Sequence, residues 1–209
     1  HLKYIKNNFK TIFPGEEITS KSVCLTFDDA YADFYFLIFP LLKKYNLKAL
    51  LAIPSKYILD DTEQTAENRM NFEHNDLFEN YQKATFCTYK ELKQMQESGL
   101  VVFGSHSHSH IDLTQKQVDL DLELRVSKEI LEDKLNTKID SFVFPFGKYN
   151  QNIIEKEKRY YQYNFRIGNA IHKDFSGING AIYRVDGDNL KTADEIFKTT
   201  KLLKYKFKG

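Results

Sequence analysis

The 209-residue sequence has no tryptophan, only two cysteines, two methionines and four prolines. It also has no uninterrupted apolar run long enough to cross a bilayer. Cys24 and Cys87 are too few for a disulfide framework, and neither lies in a CxxC or Cys/His pattern. Both are read as reduced packing residues, with a bridge between them as the alternative. An excess of one charge is missing too: 30 Lys plus Arg oppose 29 Asp plus Glu, a net charge of +1. That balance implies no nucleic-acid partner and no acidic-membrane partner, so any charged site must be local. The first residue is His rather than Met, and the opening HLKYIKNNFK has no signal-peptide core. The sequence therefore reads as a fragment whose natural start is missing. No repeat and no low-complexity tract is visible.

What is present is 42% hydrophobic and 14% aromatic residues, enough for one core and a single domain over 1–209. Short β-rich runs at 22–27, 47–55, 100–105, 141–147, 164–168 and 181–185 alternate with helical patterns. These helices are expected at 34–45, with Pro40 as a kink, at 89–98, at 114–136, at 150–162 and from 192 to about 206. Thr88 with Glu91 forms a capping box ahead of Gly99, and Thr114 with Gln117 is expected to cap a helix whose apolar stripe is Val118, Leu122, Val126 and Ile130. Residues 60–85 are polar with weak periodicity and read as an inserted loop with room for a short helix. Strand–helix alternation predicts a parallel α/β architecture, either an irregular (β/α) barrel or an open doubly wound sheet.

Three polar clusters leave strands at their carboxyl ends, the rim on which such folds build sites: LTFDD, GSHSHSH and FPFG. Two adjacent carboxylates, Asp28 and Asp29, are costly beside an apolar run unless something cationic compensates them. His106 and His110, four residues apart, project to one side in either a helix or a strand; His108 joins them only in an extended chain. Two neutral imidazoles and a carboxylate suit Zn²⁺ or a similar transition metal, with a position left for water.

TFDDA, HSHSH and FPFG, in this order and spacing, resemble the first three motifs of the polysaccharide deacetylases with a NodB homology domain, carbohydrate esterase family 4. The stretches LTFDDAYADFYFLIFPLLKKY and GSHSHSHIDLT are most similar to the branch containing poly-N-acetylglucosamine deacetylases. The resemblance implies a distorted (β/α) barrel of about six or seven strands with outer helices. It also implies Asp28 as catalytic base and Asp29, His106 and His110 as ligands of one divalent metal, Zn or alternatively Co or Ni. Ser107 would steady the histidine loop. The Phe146 backbone N–H would help bind an oxyanion in the loop shared with Pro145 and Gly147. The implied partner is an N-acetylated glycan, and the implied place of work is the cell envelope or outside the cytoplasm, with a cytoplasmic role left open by the absent signal.

This sequence departs from the family pattern in three places. Val143 stands where the third motif has Arg, and Arg184 in IYRVDGD is the candidate replacement that would orient the base. No LxxH motif supplies the usual general acid; His172, in a loop, reads as solvated. Ala30 stands where Gly is frequent. The aromatic run YYQYNF (160–165) is expected in the core, and the final helix, with Ile196, Thr200, Leu203 and Phe207 in one stripe, is expected to pack on the barrel. The expected reaction is metal-dependent removal of N-acetyl groups from a glycan. A hydrolase of small non-sugar amides and a non-catalytic glycan binder remain as alternatives.

Overall fold

The computed structural model describes residues 1–188 and 190–208. After α1 (Leu2–Asn8), a two-stranded parallel ribbon pairs β1 (Lys10–Thr11) with β2 (Ser22–Val23). The remaining strands are β3 (Leu25–Phe27), β4 (Ala49–Ile53), β5 (Val101–Ser105), β6 (Ser141–Val143), β7 (Tyr163–Ile167) and β8 (Ile182–Arg184). They form one parallel sheet in sequence order. All carboxyl ends therefore share one rim.

Every residue of β4 is buried, as a parallel strand covered on both faces requires. Ala49, Leu51 and Ile53 join the large cluster beneath the helices with Leu42, Leu92, Met95 and Leu131. Leu50 and Ala52 meet Val143, Phe165 and Ile182 in a second cluster on the opposite face, inside the curl. Gly104 lets β5 and β6 approach closely, since a Cβ there would lie 3.0 Å from the Ser141 carbonyl oxygen. Among the described residues β3 and β8 share no ladder, so the sheet is a curled half-barrel. Its seam is spanned by side chains: Arg184 Nη1 on β8 donates to Thr26 Oγ1 on β3 at 3.0 Å.

The helices depart from the sequence pattern in instructive ways. A π-helical stretch, Phe34–Ile38, leads without a break into α2 (Phe39–Tyr45), so the winding changes directly before Pro40. The short helix allowed for in the insertion is α3 (Ala66–Met70), and α4 (Tyr89–Glu97) carries the expected capping box. Thr114 caps no helix, because its hydroxyl and N–H are taken by Asp112 at 2.6 and 3.0 Å. Asp119 caps instead, accepting from Asp121 and Leu122 N–H, and a π-helical turn, Leu122–Val126, opens α5 (Ser127–Leu135). The stripe fully buried there is Leu124, Ser127, Leu131 and Leu135 rather than the set beginning at Val118. Helix α6 spans only Gln151–Glu157.

The final helix is broken. A 3₁₀ turn, Glu195–Phe197, is followed by extended Lys198 and then α7 (Thr199–Lys206). That break rotates the helical phase. Leu203 and Phe207 stay exposed at 52% and 90%, while Leu202 and Tyr205 are half-buried. Cys24 and Cys87 are both free, and Tyr161 and Phe165 lie in the core as expected.

Candidate metal and hydrolytic site

The rim brings β3, β5, β6 and β8 to one place. β3 ends in Asp28 and Asp29, and the backbone then turns through left-handed conformations at Asp29 (φ 69°) and Ala30 (φ 55°). Such a corner is held from outside: Cys87 N–H donates to the Ala30 carbonyl at 2.7 Å and Ala32 N–H to the Thr85 carbonyl at 2.9 Å. Ser107, His110 and Phe146 are also left-handed, at φ 65°, 50° and 57°. Five of the chain's strained non-glycine residues thus gather here, the distribution expected where function fixes the backbone against its preference.

Asp29, His106 and His110 each present a ligand atom within 4.8 Å of the other two. His106 Nε2 and His110 Nε2 lie 3.6 and 3.2 Å from Asp29 Oδ1. His106 Nδ1 must donate to the Val143 carbonyl at 2.7 Å, because a carbonyl can only accept. That bond leaves His106 Nε2 as the ring atom facing Asp29. Burial, followed by the neighbouring His106, pushes the His110 imidazole down to about 3, which leaves this ring neutral with a lone pair to offer. Burial raises the Asp29 carboxyl above its ordinary value, opposed by His106. Its Oδ1 is buried with no hydrogen-bond partner among the described residues. A desolvated carboxylate oxygen facing two imidazole nitrogens is a donor set that fits a divalent transition cation.

Asp28 has a different environment. Arg184 grips both of its oxygens, at 2.6 and 2.7 Å. Burial would push the Asp28 carboxyl up, but the Arg184 charge and hydrogen bonds outweigh it and hold the group below its ordinary value. Two neighbouring carboxylates are thereby driven apart in character, one paired with a guanidinium and one facing two imidazoles. They line one cleft of about 450 Å³ with Tyr31, His74, Ile167 and Asp186.

The histidine loop is held along its length. Ser107 Oγ accepts from His110 N–H at 3.1 Å, Ser55 N–H donates to the Ser107 carbonyl, Lys56 N–H to the His108 carbonyl, and Tyr57 Oη to the Ser109 carbonyl. His108 is not with the other two; its Nδ1 meets Ser55 Oγ at 2.9 Å. His172 is engaged elsewhere, its Nε2 accepting from Tyr183 N–H at 2.8 Å. Pro145 and Gly147 are buried, whereas the Phe146 ring is 59% exposed and packs on His110 at 4.8 Å between centroids.

The insertion supplies residues that the sequence pattern did not reveal. Arg69 of α3 is buried, bonds the Glu91 carboxylate at 2.6 and 2.8 Å, and donates to the Ala84 and Phe86 carbonyls. So anchored, the segment stacks Phe78 on His110, 4.7 Å between centroids at 17°, and sets His74 edge-on to Tyr31 at 5.4 Å. The available signal was weak: a histidine and several aromatics in an otherwise polar stretch. Glu123, whose carboxylate bonds the His108 and Ser109 amides, was hidden by a helical phase that placed it outside the apolar stripe.

The chain is similar to several known proteins. The chain is 30% identical over 93 residues to the poly-β-1,6-N-acetyl-D-glucosamine N-deacetylase of Escherichia coli (strain K12), which is 44% of this chain and 13% of that protein. It is 26% identical over 173 residues to Bacillus subtilis (strain 168) YxkH, 78% of this chain and 54% of that one. The chain thus spans about half, or much less, of these relatives. The Streptococcus pyogenes deacetylase PplD, solved with acetate, superposes with a TM-score of 0.67 at 25% identity, over 88% of this chain and 76% of that one. IcaB from Ammonifex degensii shares the fold, with a TM-score of 0.69 at 19% identity over 96% and 85%. The polysaccharide deacetylase family model matches residues 15–164, and with the half-barrel and its rim in place the chain belongs to that family.

Proposed function

We propose that this chain hydrolyses the N-acetyl groups of an N-acetylated amino sugar within a glycan of the cell envelope or its surroundings. Asp29, His106 and His110 would hold one divalent cation, Zn²⁺ or alternatively Co²⁺ or Ni²⁺. The observation that carries the reading is their convergence within 4.8 Å beside a second aspartate held by Arg184. When bound, such a cation supplies Lewis acidity, acidifying water and polarising the amide carbonyl. Asp28 is the base: it is ionised, lies outside the ligand set, and is aimed by the two Arg184 hydrogen bonds. The Phe146 backbone N–H is the oxyanion donor, in a loop shaped by Pro145 and Gly147, and one such donor contributes on the order of 3 kcal/mol in the transition state. Ser107 keeps His110 in place through its hydroxyl. The E. coli relative's name supports poly-β-1,6-N-acetyl-D-glucosamine as the polymer class.

Acetate release from N-acetylglucosamine oligomers, with small acetamides in parallel, tests this. Asp28→Asn should lower turnover by roughly 10²–10⁴-fold while Zn²⁺ still binds, and His106→Ala should lose both. Equal loss of metal in the two variants contradicts the division of roles. Release from small amides alone, or glycan binding without release, contradicts the proposed reaction.

A further inference from the structure

We propose that Glu123 is a positioning residue for the loop joining the two histidines. Its carboxylate, on the π-helical turn Leu122–Val126, is 2% exposed and has no cationic partner among the described residues. A buried charge needs compensation. Here the partners are two consecutive backbone amides: Oε2 accepts from His108 N–H at 2.9 Å and from Ser109 N–H at 2.8 Å. Both amides lie between His106 and His110. The π-helical turn carries Glu123 and Leu124 side by side into the interior, at 2% and 0% exposure.

The loop's carbonyls are held by Ser55, Lys56 and Tyr57, and its end amides by the Ile53 carbonyl at His106 and by Ser107 Oγ at His110. Glu123 alone, among the described residues, takes the two amides in the middle. It thereby fixes the turn by which the chain leaves His106 and returns His110 to face Asp29, with His110 Nε2 3.2 Å from Asp29 Oδ1. Both bonds fall on one oxygen, and this makes a sharp demand. Gln retains a carbonyl oxygen at that reach, whereas Asp retains the charge but is one methylene too short.

This inference rests on the metal reading of the same site, and Zn²⁺ titration against a chelator, with Co²⁺ absorption as a geometric readout, separates the two. Glu123→Gln should bind Zn²⁺ close to the parent and keep its Co²⁺ spectrum. Glu123→Asp should bind roughly 10–100-fold more weakly, the usual effect of losing a group that orients a ligand, with an altered spectrum. Leu131→Ala, which opens a cavity further along the same helical segment, should destabilise the fold without changing either readout. Parental affinity in Glu123→Asp, equal weakening in Glu123→Gln, or equal weakening in Leu131→Ala overturns the role of Glu123. A parent chain that binds no Zn²⁺ overturns the metal site itself, and this proposal with it.

Discussion

Between His106 and His110 the chain is hydrogen-bonded at nearly every residue, whereas the Asp28 carboxylate takes its orientation from one guanidinium at the far end of the sheet. The histidine loop lies mid-sheet, after β5, with neighbouring strands and α5 to lean on. Asp28 follows the edge strand β3, which among the described residues has no ladder partner on its open side, and a long side chain from β8 spans the seam there. One flank is built with many supports; the other depends on one.

Substitutions can break or sharpen that contrast. The largest effect is expected from Arg184→Ala, which removes the cation hydrogen-bonded to Asp28 and the tie across the seam. Breaking such a pair costs about 3 kcal/mol, and a misplaced base costs on the order of 100-fold in turnover, read by urea unfolding and acetate release. Arg184→Lys should restore stability more than turnover, because an ammonium cannot reproduce the two-pronged grip.

Glu157 provides a contrast away from both flanks. Its carboxyl is fully buried on α6, with both oxygens unpartnered among the described residues. Burial pushes it up to about 9 from an ordinary 4.5, against a small opposing effect of Lys158. The folded chain therefore holds a proton that the unfolded chain releases, so stability falls as pH rises from about 4.5 to about 9 and levels off above. Glu157→Gln should remove that slope and add about 1–3 kcal/mol at neutral pH, measured by denaturation across pH, with turnover unchanged.

On the histidine side, Tyr57→Phe removes one of several supports, the bond to the Ser109 carbonyl at 3.0 Å. It should cost about 1 kcal/mol and leave Zn²⁺ affinity nearly intact. A loss as large as that of Arg184→Ala would erase the contrast. The smallest effect is expected at Ala30, left-handed and fully buried. Relief of roughly 1 kcal/mol of backbone strain in Ala30→Gly is offset by a lost methyl contact of about 0.8 kcal/mol, so thermal unfolding should barely move.

The pattern of legible and hidden residues follows from the same physics. Asp28, Asp29, His106 and His110 stood out because charged and metal-binding side chains directly follow apolar runs, and all strands point the same way. Arg184 could be named as a candidate because it lies at a strand end. Glu123 and Phe78 could not. Their placement depends on a π-helical turn and on an insertion anchored by Arg69, neither of which leaves a periodic trace. Thr114 and the final helix misled for a related reason: local competition from Asp112 and an extended Lys198 reset helical phase where the pattern ran on unbroken.

The most direct test is a crystal structure of the chain grown with Zn²⁺, using anomalous scattering to locate the ion. A single strong peak is expected about 2.0–2.2 Å from Asp29, His106 Nε2 and His110 Nε2, with Asp28 still held by Arg184 and outside the coordination sphere. A fully occupied ion bound elsewhere, or coordinated by Asp28 in place of Asp29, would contradict the account.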